Sequence, residues 1–224
     1  MARHDHPTRP SRVVVLGLGR FGASLALELV RRGTEVLGID SNARIVQTYA
    51  DELTHAAVAD TTDPEALRQL DVPDFQRAVV GIGNDLEGSI LTTAVLVDLA
   101  IPNIWARAVS RQHGRILERV GAHRVVLPDH DMGERVAHLV TGRMMDYIEF
   151  EDDFAMIKTV APSDILDKPL SDTGVRTRDR ITVVGVKRPG HHFTYATQDT
   201  VVHAGDLLIV SGKINDVEAF ADRT

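Results

Sequence analysis

Between Val13 and Leu127, short runs of branched apolar residues alternate with segments whose apolar positions recur every three to four residues. VVVL (13–16) precedes a helical pattern from Arg20 to Arg32 that Gly33 ends, and EVLGI (35–39) precedes one over Ala43–Asp51. HAAVA (55–59) leads to Pro64–Leu70, where a proline suits the first helical turn. AVVGI (78–82) leads to Leu86–Leu99, NIWARA (103–108) to Gln112–Val120, and HRVVL (123–127) closes the series. Strands buried on both faces read as continuous apolar runs. Joined to helices by short links, they predict an α/β fold with a doubly wound parallel sheet of Rossmann-like type.

The period changes after Met144. YIEFEDDFAMIKTVA (147–161) alternates like two strands around a solvated acidic turn, EFEDD (149–153). ITVVGVKR (181–188) and HHFTYAT (191–197) flank a Pro189-Gly190 turn. VVHAGDLLIVSG (201–212) carries a second turn at Ala204–Asp206, and INDVEAFAD predicts a closing helix. These segments predict a small antiparallel-rich α+β domain, reached through a connecting helix over Met132–Arg143. The expected organisation is a disordered tail over 1–11, a nucleotide-binding domain over 12–143 and a second domain over 144–224.

The chemistry concentrates after the first strand. Gly17-Leu18-Gly19-Arg20-Phe21-Gly22 is G-x-G-x-x-G between a predicted strand and a predicted helix, with an acid, Asp40, at the end of the second strand. That context is what the dinucleotide fingerprint requires. Gly17 permits the tight turn, Gly19 lets the backbone approach phosphates, and Gly22 lets helix and strand pack closely. The helix N-terminus adds free N–H groups and partial positive charge. Asp40, with Ser41 beside it, is placed to accept hydrogen bonds from ribose hydroxyls and would repel a 2′-phosphate, disfavouring NADP. Arg20 is not needed by the turn. Its guanidinium is placed to reach a terminal phosphate, which ATP has and NAD lacks; the plainer alternative is a solvated first-turn arginine.

Other candidates stand at the carboxyl ends of later strands, where open α/β sheets bind ligands. Asp60-Thr61 and Gly81-Ile82-Gly83-Asn84-Asp85 follow strands three and four. The small residues at 81 and 83 leave room for a base or ribose, and Asp60 either accepts from an adenine amino group or caps the next helix. Arg107 ends strand five and either faces phosphates or is solvated. Asp129, in LPDHDMG, is a turn or cap residue unless a divalent cation, Mg²⁺ or Ca²⁺, bridges it to phosphates.

Composition narrows the function. A formal net charge of −7 argues against nucleic acid as a partner. The absence of cysteine removes thiolate catalysis, disulfides and Cys-based zinc sites. No apolar run approaches the roughly 20 residues that span a bilayer, so any membrane role runs through a partner. The histidines show no metal-helix spacing. An NAD-dependent oxidoreductase would need an acid–base set that the short second domain does not display. A stand-alone NAD(H) or nucleotide sensor remains open.

GLGRFG, Asp40, THA (54–56), LTTA, IPNIWARA and PDHDMG together resemble the KtrA/TrkA-type RCK (regulator of potassium conductance) subunits of bacterial potassium-uptake systems. The resemblance covers nearly the whole chain after residue 11. It implies a non-enzymatic, cytoplasmic gating subunit with an RCK nucleotide-binding lobe and a TrkA-C lobe. It also implies homodimers that assemble into an octameric ring beneath a membrane-embedded potassium-translocating subunit of the KtrB/TrkH type. ATP and ADP would compete for the N-lobe, switching the ring. By position Arg20 resembles the arginine at the terminal phosphate, Asp40 the ribose acid and Arg107 a basic residue near the phosphates. Asp129 stands where KtrA proteins commonly carry a cation-linked glutamate. Arg176, in GVRTR, resembles an arginine that binds cyclic di-AMP in some relatives, although TYATQDT lacks the proline of their following hairpin.

Overall fold

The computed structural model describes residues 12–140 and 144–223. The chain divides into two compact units at His130/Asp131. The expected tail and residues 141–143 of the expected connecting helix lie outside the described residues.

The first unit carries a parallel sheet in the order β3-β2-β1-β4-β5-β6. Its strands are β1 (Arg12–Leu16), β2 (Glu35–Asp40), β3 (His55–Val58), β4 (Arg77–Val80), β5 (Ile104–Arg107) and β6 (Arg124–Val126). Alternate residues of the central strand feed two cores. Val14 and Leu16 pack with Leu37, Ile39 and Val80, whereas Val13 and Val15 pack with Leu18, Val36 and Val46. A strand in that position has no solvent face, which is why VVVL carries no polar residue.

The helices are α1 (Arg20–Arg31), α2 (Ala43–Tyr49), α3 (Pro64–Gln69), α4 (Leu86–Asp98) and α5 (Arg111–Val120). Side chains of Asn42, Asp63, Asp85 and Ser110 cap the last four, each accepting a backbone N–H two or three residues on. The chain leaves β1 toward β2 and β3, then returns to place β4 on the other side of β1. That reversal opens a crevice at the carboxyl ends of β1 and β4. Helix α6 (Pro128–Val140) begins four residues before the expected Met132, because Pro128 itself occupies the first turn.

The second unit holds a wholly antiparallel sheet in the order β10-β9-β11-β8-β7. Its strands are β7 (Met144–Phe150), β8 (Phe154–Val160), β9 (Thr182–Lys187), β10 (Thr194–Tyr195) and β11 (Leu207–Lys213), with helices α7 (Leu170–Thr173) and α8 (Ile214–Ala221). Two strands are shorter than their sequence pattern. HHFTYAT contributes only Thr194–Tyr195, and 201–206 stays out of β11, with Val201 forming an isolated bridge to Pro169 outside the sheet. Asp206 is the cause of the second difference. It is buried and its Oδ2 accepts from the His203 amide at 2.9 Å, so the segment closes as a turn at Gly205 (φ 82°).

Helix α6 ends against this unit. The His138 ring stacks on Tyr147 at 4.0 Å, and its Nδ1 lies 3.2 Å from Glu218 of α8. Burial, then the hydrogen bond the hydroxyl donates to Glu149 Oε2 at 3.1 Å, push the Tyr147 phenol up to about 12. Because that lies above the ordinary value near 10, the folded chain keeps a proton between pH 10 and 12 that the unfolded chain releases. Tyr147 therefore contributes fully below pH 10, and its contribution falls by on the order of 1 kcal/mol at pH 11. Thermal melts at about pH 9 and about pH 11 should show a steeper alkaline loss for the native chain than for Tyr147→Phe. Equal losses would remove this role.

Candidate nucleotide-binding site

The glycine turn is built by backbone chemistry. Gly17 takes φ 93°, a value glycine adopts without strain, and its N–H donates to Ile39 O at 2.7 Å. A Cβ on Gly22 would stand 1.9 Å from the carbonyl oxygen of Gly17, so nothing larger fits where α1 crosses the turn. Gly19 precedes α1 without a capping side chain, and the first turn of α1 holds no acid. Its amides therefore favour an anion from outside.

Asp40 does more than end β2. Its Oδ2 accepts from the buried Leu18 amide at 2.8 Å and its Oδ1 from the Asn42 amide at 2.8 Å. One carboxylate thus pins the glycine turn and the start of α2, keeping further lone pairs for a ligand.

These elements enclose a cleft of about 560 Å³, within the range of small-molecule sites. It brings together Gly17, Leu18, Gly19, Arg20, Asp40, Ser41, Asp60, Thr61, Gly81, Ile82, Gly83 and Arg107. Phe21 and Gly22 do not line it: Phe21 lies under the Arg107 guanidinium at 5.8 Å, and Gly22 serves packing. Arg20 is exposed and forms no ion pair among the described residues. Asn84 and Asp85 of the loop after β4 line it as well, and so do residues that sequence reading did not name: Ile45, Thr48 and Tyr49 of α2, Thr62 and Gly88. The i, i+3, i+4 spacing of Ile45, Thr48 and Tyr49 puts them on one helix face, but the same spacing marks a core stripe and does not by itself point to a ligand.

The loops at the sheet edge are tightly specified. Asp60 Oδ1 accepts from the Thr62 hydroxyl at 2.7 Å and the Thr62 amide at 2.9 Å, which together hold its carboxyl below the usual range. The helix-capping alternative for Asp60 belongs instead to Asp63, whose side chain accepts from the Glu65 amide at 2.9 Å. The Thr61 hydroxyl is buried against Thr92 at 2.7 Å, so its hydroxyl is engaged in the core. A Cβ on Gly81 would meet Gly17 O at 2.8 Å, and one on Gly83 would meet Arg107 Nη1 at 2.2 Å.

Arg107 is largely buried, and its Nη2 donates to Asp129 Oδ2 at 2.7 Å. Asp129 sits in the first turn of α6 with its side chain 78 % exposed. Within one chain it does not fit a metal centre: its neighbour is a cation, and no three His, Asp or Glu side chains among the described residues converge on a metal position. Arg176 lies in the second unit. It lines a separate cleft of about 590 Å³ with Ser171, Thr177, Thr182 and Gln198.

The comparisons follow this division. A TrkA-N domain matches residues 13–128 and a TrkA-C domain residues 154–224. The Ktr system potassium uptake protein A of Bacillus subtilis (strain 168) is 34 % identical over 207 residues, covering 92 % of this chain and 93 % of that protein. Among solved structures, the GsuK RCK domain superposes with a TM-score of 0.67 at 17 % identity, over 97 % of this chain and 48 % of that one. The GsuK channel bound to NAD gives 0.65 at 16 % identity, over 96 % and 40 %. At such identities these structures establish the RCK-like fold, and this chain spans about half the length of the GsuK RCK domain chain or less. A TrkA-N domain followed by a TrkA-C domain, with a Ktr protein matching along nearly its whole length, places this chain in the TrkA/Ktr family of potassium uptake proteins.

Proposed function

We propose that this chain is the nucleotide-binding regulatory subunit of a potassium-uptake system, gating a membrane-embedded translocating subunit from the cytoplasmic side. Its 12–143 domain would take ATP or ADP, and its 144–224 domain would take part in homodimers assembling toward an octameric ring. The observation that carries this reading is the cleft itself. It joins Asp40, placed for a ribose, to an exposed Arg20 that forms no ion pair among the described residues, beside uncapped helix amides. Full-length similarity to a Ktr potassium uptake protein supports the transport context. The carboxylates of the lining already accept hydrogen bonds, Asp40 from the Leu18 and Asn42 amides, Asp60 from Thr62 and Asp85 from the Gly88 amide, which favours binding over acid–base turnover. A nucleotide then acts only through unequal affinity for two conformations.

NAD(H) is the second ligand to weigh, because the GsuK channel shares the fold and was solved bound to NAD. A divalent cation would engage Asp129 only beside ligand phosphates or a second copy. Cyclic di-AMP would be the ligand of the Arg176 cleft. A thermal-shift panel of ATP, ADP, NADH, NADPH and cyclic di-AMP separates the nucleotide readings, since a ligand in excess stabilises in proportion to the logarithm of its concentration over its dissociation constant. ATP and ADP should raise the melting temperature most; stabilisation by NADH alone would overturn the ATP/ADP assignment. In calorimetry, Arg20→Ala should weaken ATP about tenfold and ADP about twofold, as expected for loss of one charge-assisted contact to the terminal phosphate. Equal losses would remove that contact.

A further inference from the structure

The Arg107 guanidinium has one attachment that binding of a phosphate would contest. Its aromatic neighbour is Phe21, its Nη1 crowds Gly83, and its Nη2 donates to Asp129 Oδ2 at 2.7 Å. Its Nε is buried without a partner. The arginine is thus held in the cleft wall with a donor to spare, while the carboxylate it holds is 78 % exposed. Water solvates a detached Asp129 well, so such a pair is easily surrendered. A phosphate group offers several oxygens and more charge in the geometry a guanidinium fork prefers.

We propose that Arg107 is a two-position switch: without a nucleotide it holds Asp129 and the first turn of α6, and with a phosphate in the cleft it gives Asp129 up. The inference rests on the nucleotide reading of the cleft. Its consequence follows from where α6 runs. The helix starts at Pro128 in the first unit, beside a second tether between Arg111 and His130 at 3.1 Å. Its far half is fastened within the second unit by Arg135 to Asp146 and by His138 to Glu218 and Tyr147. Releasing Asp129 removes one of the restraints at the start of the segment that joins the units. Linkage makes the effect reciprocal: if nucleotide loosens Asp129, loss of the Asp129 carboxylate must tighten nucleotide.

The test is Asp129→Asn in the full chain, with ADP titrated by calorimetry in EDTA so that no cation can bridge. The expected result is a three- to tenfold tighter ADP complex, and no change from the same substitution in an Arg107→Ala background. Hydrogen exchange of residues 129–132 should accelerate with ADP in the native chain and be insensitive to ADP in Asp129→Asn. Equal or weaker binding by Asp129→Asn, or the same gain without Arg107, overturns the switch while leaving the nucleotide site standing. A native chain that binds neither ADP nor ATP overturns the nucleotide reading and the switch together.

Discussion

Gly22→Ala is expected to lower the melting temperature by about 10 °C, whereas Gly19→Ala, three residues earlier, leaves it nearly unchanged and weakens nucleotide binding instead. The contrast comes from what each new methyl meets. At Gly22 it would stand 1.9 Å from Gly17 O and 3.0 Å from Gly17 C. Both are backbone atoms of a turn already held by Ile39 O and Asp40, so no side-chain rotation relieves the clash. Overpacking costs typically about 1–3 kcal/mol and more where backbone must move. A value near 3 kcal/mol at roughly 3 °C per kcal/mol gives the stated shift. At Gly19 a methyl meets nothing within 4 Å, and φ −64° suits any residue. The cost there is the small preference of a helix cap for glycine over alanine, under about 1 kcal/mol. That methyl would occupy the side from which phosphate approaches the α1 amides, and about tenfold weaker ADP binding should follow. Melts and calorimetry on both variants decide the matter. Similar melting temperatures would refute the packing role of Gly22, and native ADP affinity in Gly19→Ala would refute the approach of phosphate to Gly19.

Such backbone requirements explain what was legible in the sequence. The strands of the first unit show because burial on both faces permits only apolar runs, as in VVVL feeding two cores. The glycine turn and Asp40 show because each answers a constraint that few residue types meet. The second unit is less legible because its strands are half exposed and interrupted. In β9 the buried Val183 and Val186 break strict alternation, and a register shift opposite Ile209/Val210 lets both face the core. Short pieces such as α7 carry too few residues for a periodic signal. In the site, the α2 face of Ile45, Thr48 and Tyr49 was hidden because the same spacing also marks a core stripe. The Arg107–Asp129 pair was hidden for a different reason: it depends on β5 and β6 being neighbours, which local pattern does not specify.

Asp40→Ala is expected to weaken ADP about 100-fold and to destabilise the fold by about 2–3 kcal/mol, because the carboxylate serves ligand and protein at once. Its Oδ2 holds the Leu18 amide within the glycine turn, and its Oδ1 holds the Asn42 amide. Asn42 in turn caps α2, accepting from the Arg44 amide at 3.0 Å. Alanine therefore leaves the Leu18 donor unpaired and loosens the helix that presents Ile45, Thr48 and Tyr49 to the cleft. A 100-fold loss corresponds to about 2.7 kcal/mol, more than one surface hydrogen bond supplies but in line with a charged acceptor. The two roles separate with a ligand that has phosphates and no ribose. Inorganic tripolyphosphate senses only the turn, so its affinity should fall far less than that of ADP. Asp40→Asn, which keeps one acceptor oxygen and loses the charge, should lie between native and alanine for both ligands. If ADP and tripolyphosphate lose affinity equally, Asp40 acts through the turn alone and the ribose contact is wrong. If ADP alone is lost while stability stays native, the hydrogen bonds to Leu18 and Asn42 do not hold the turn.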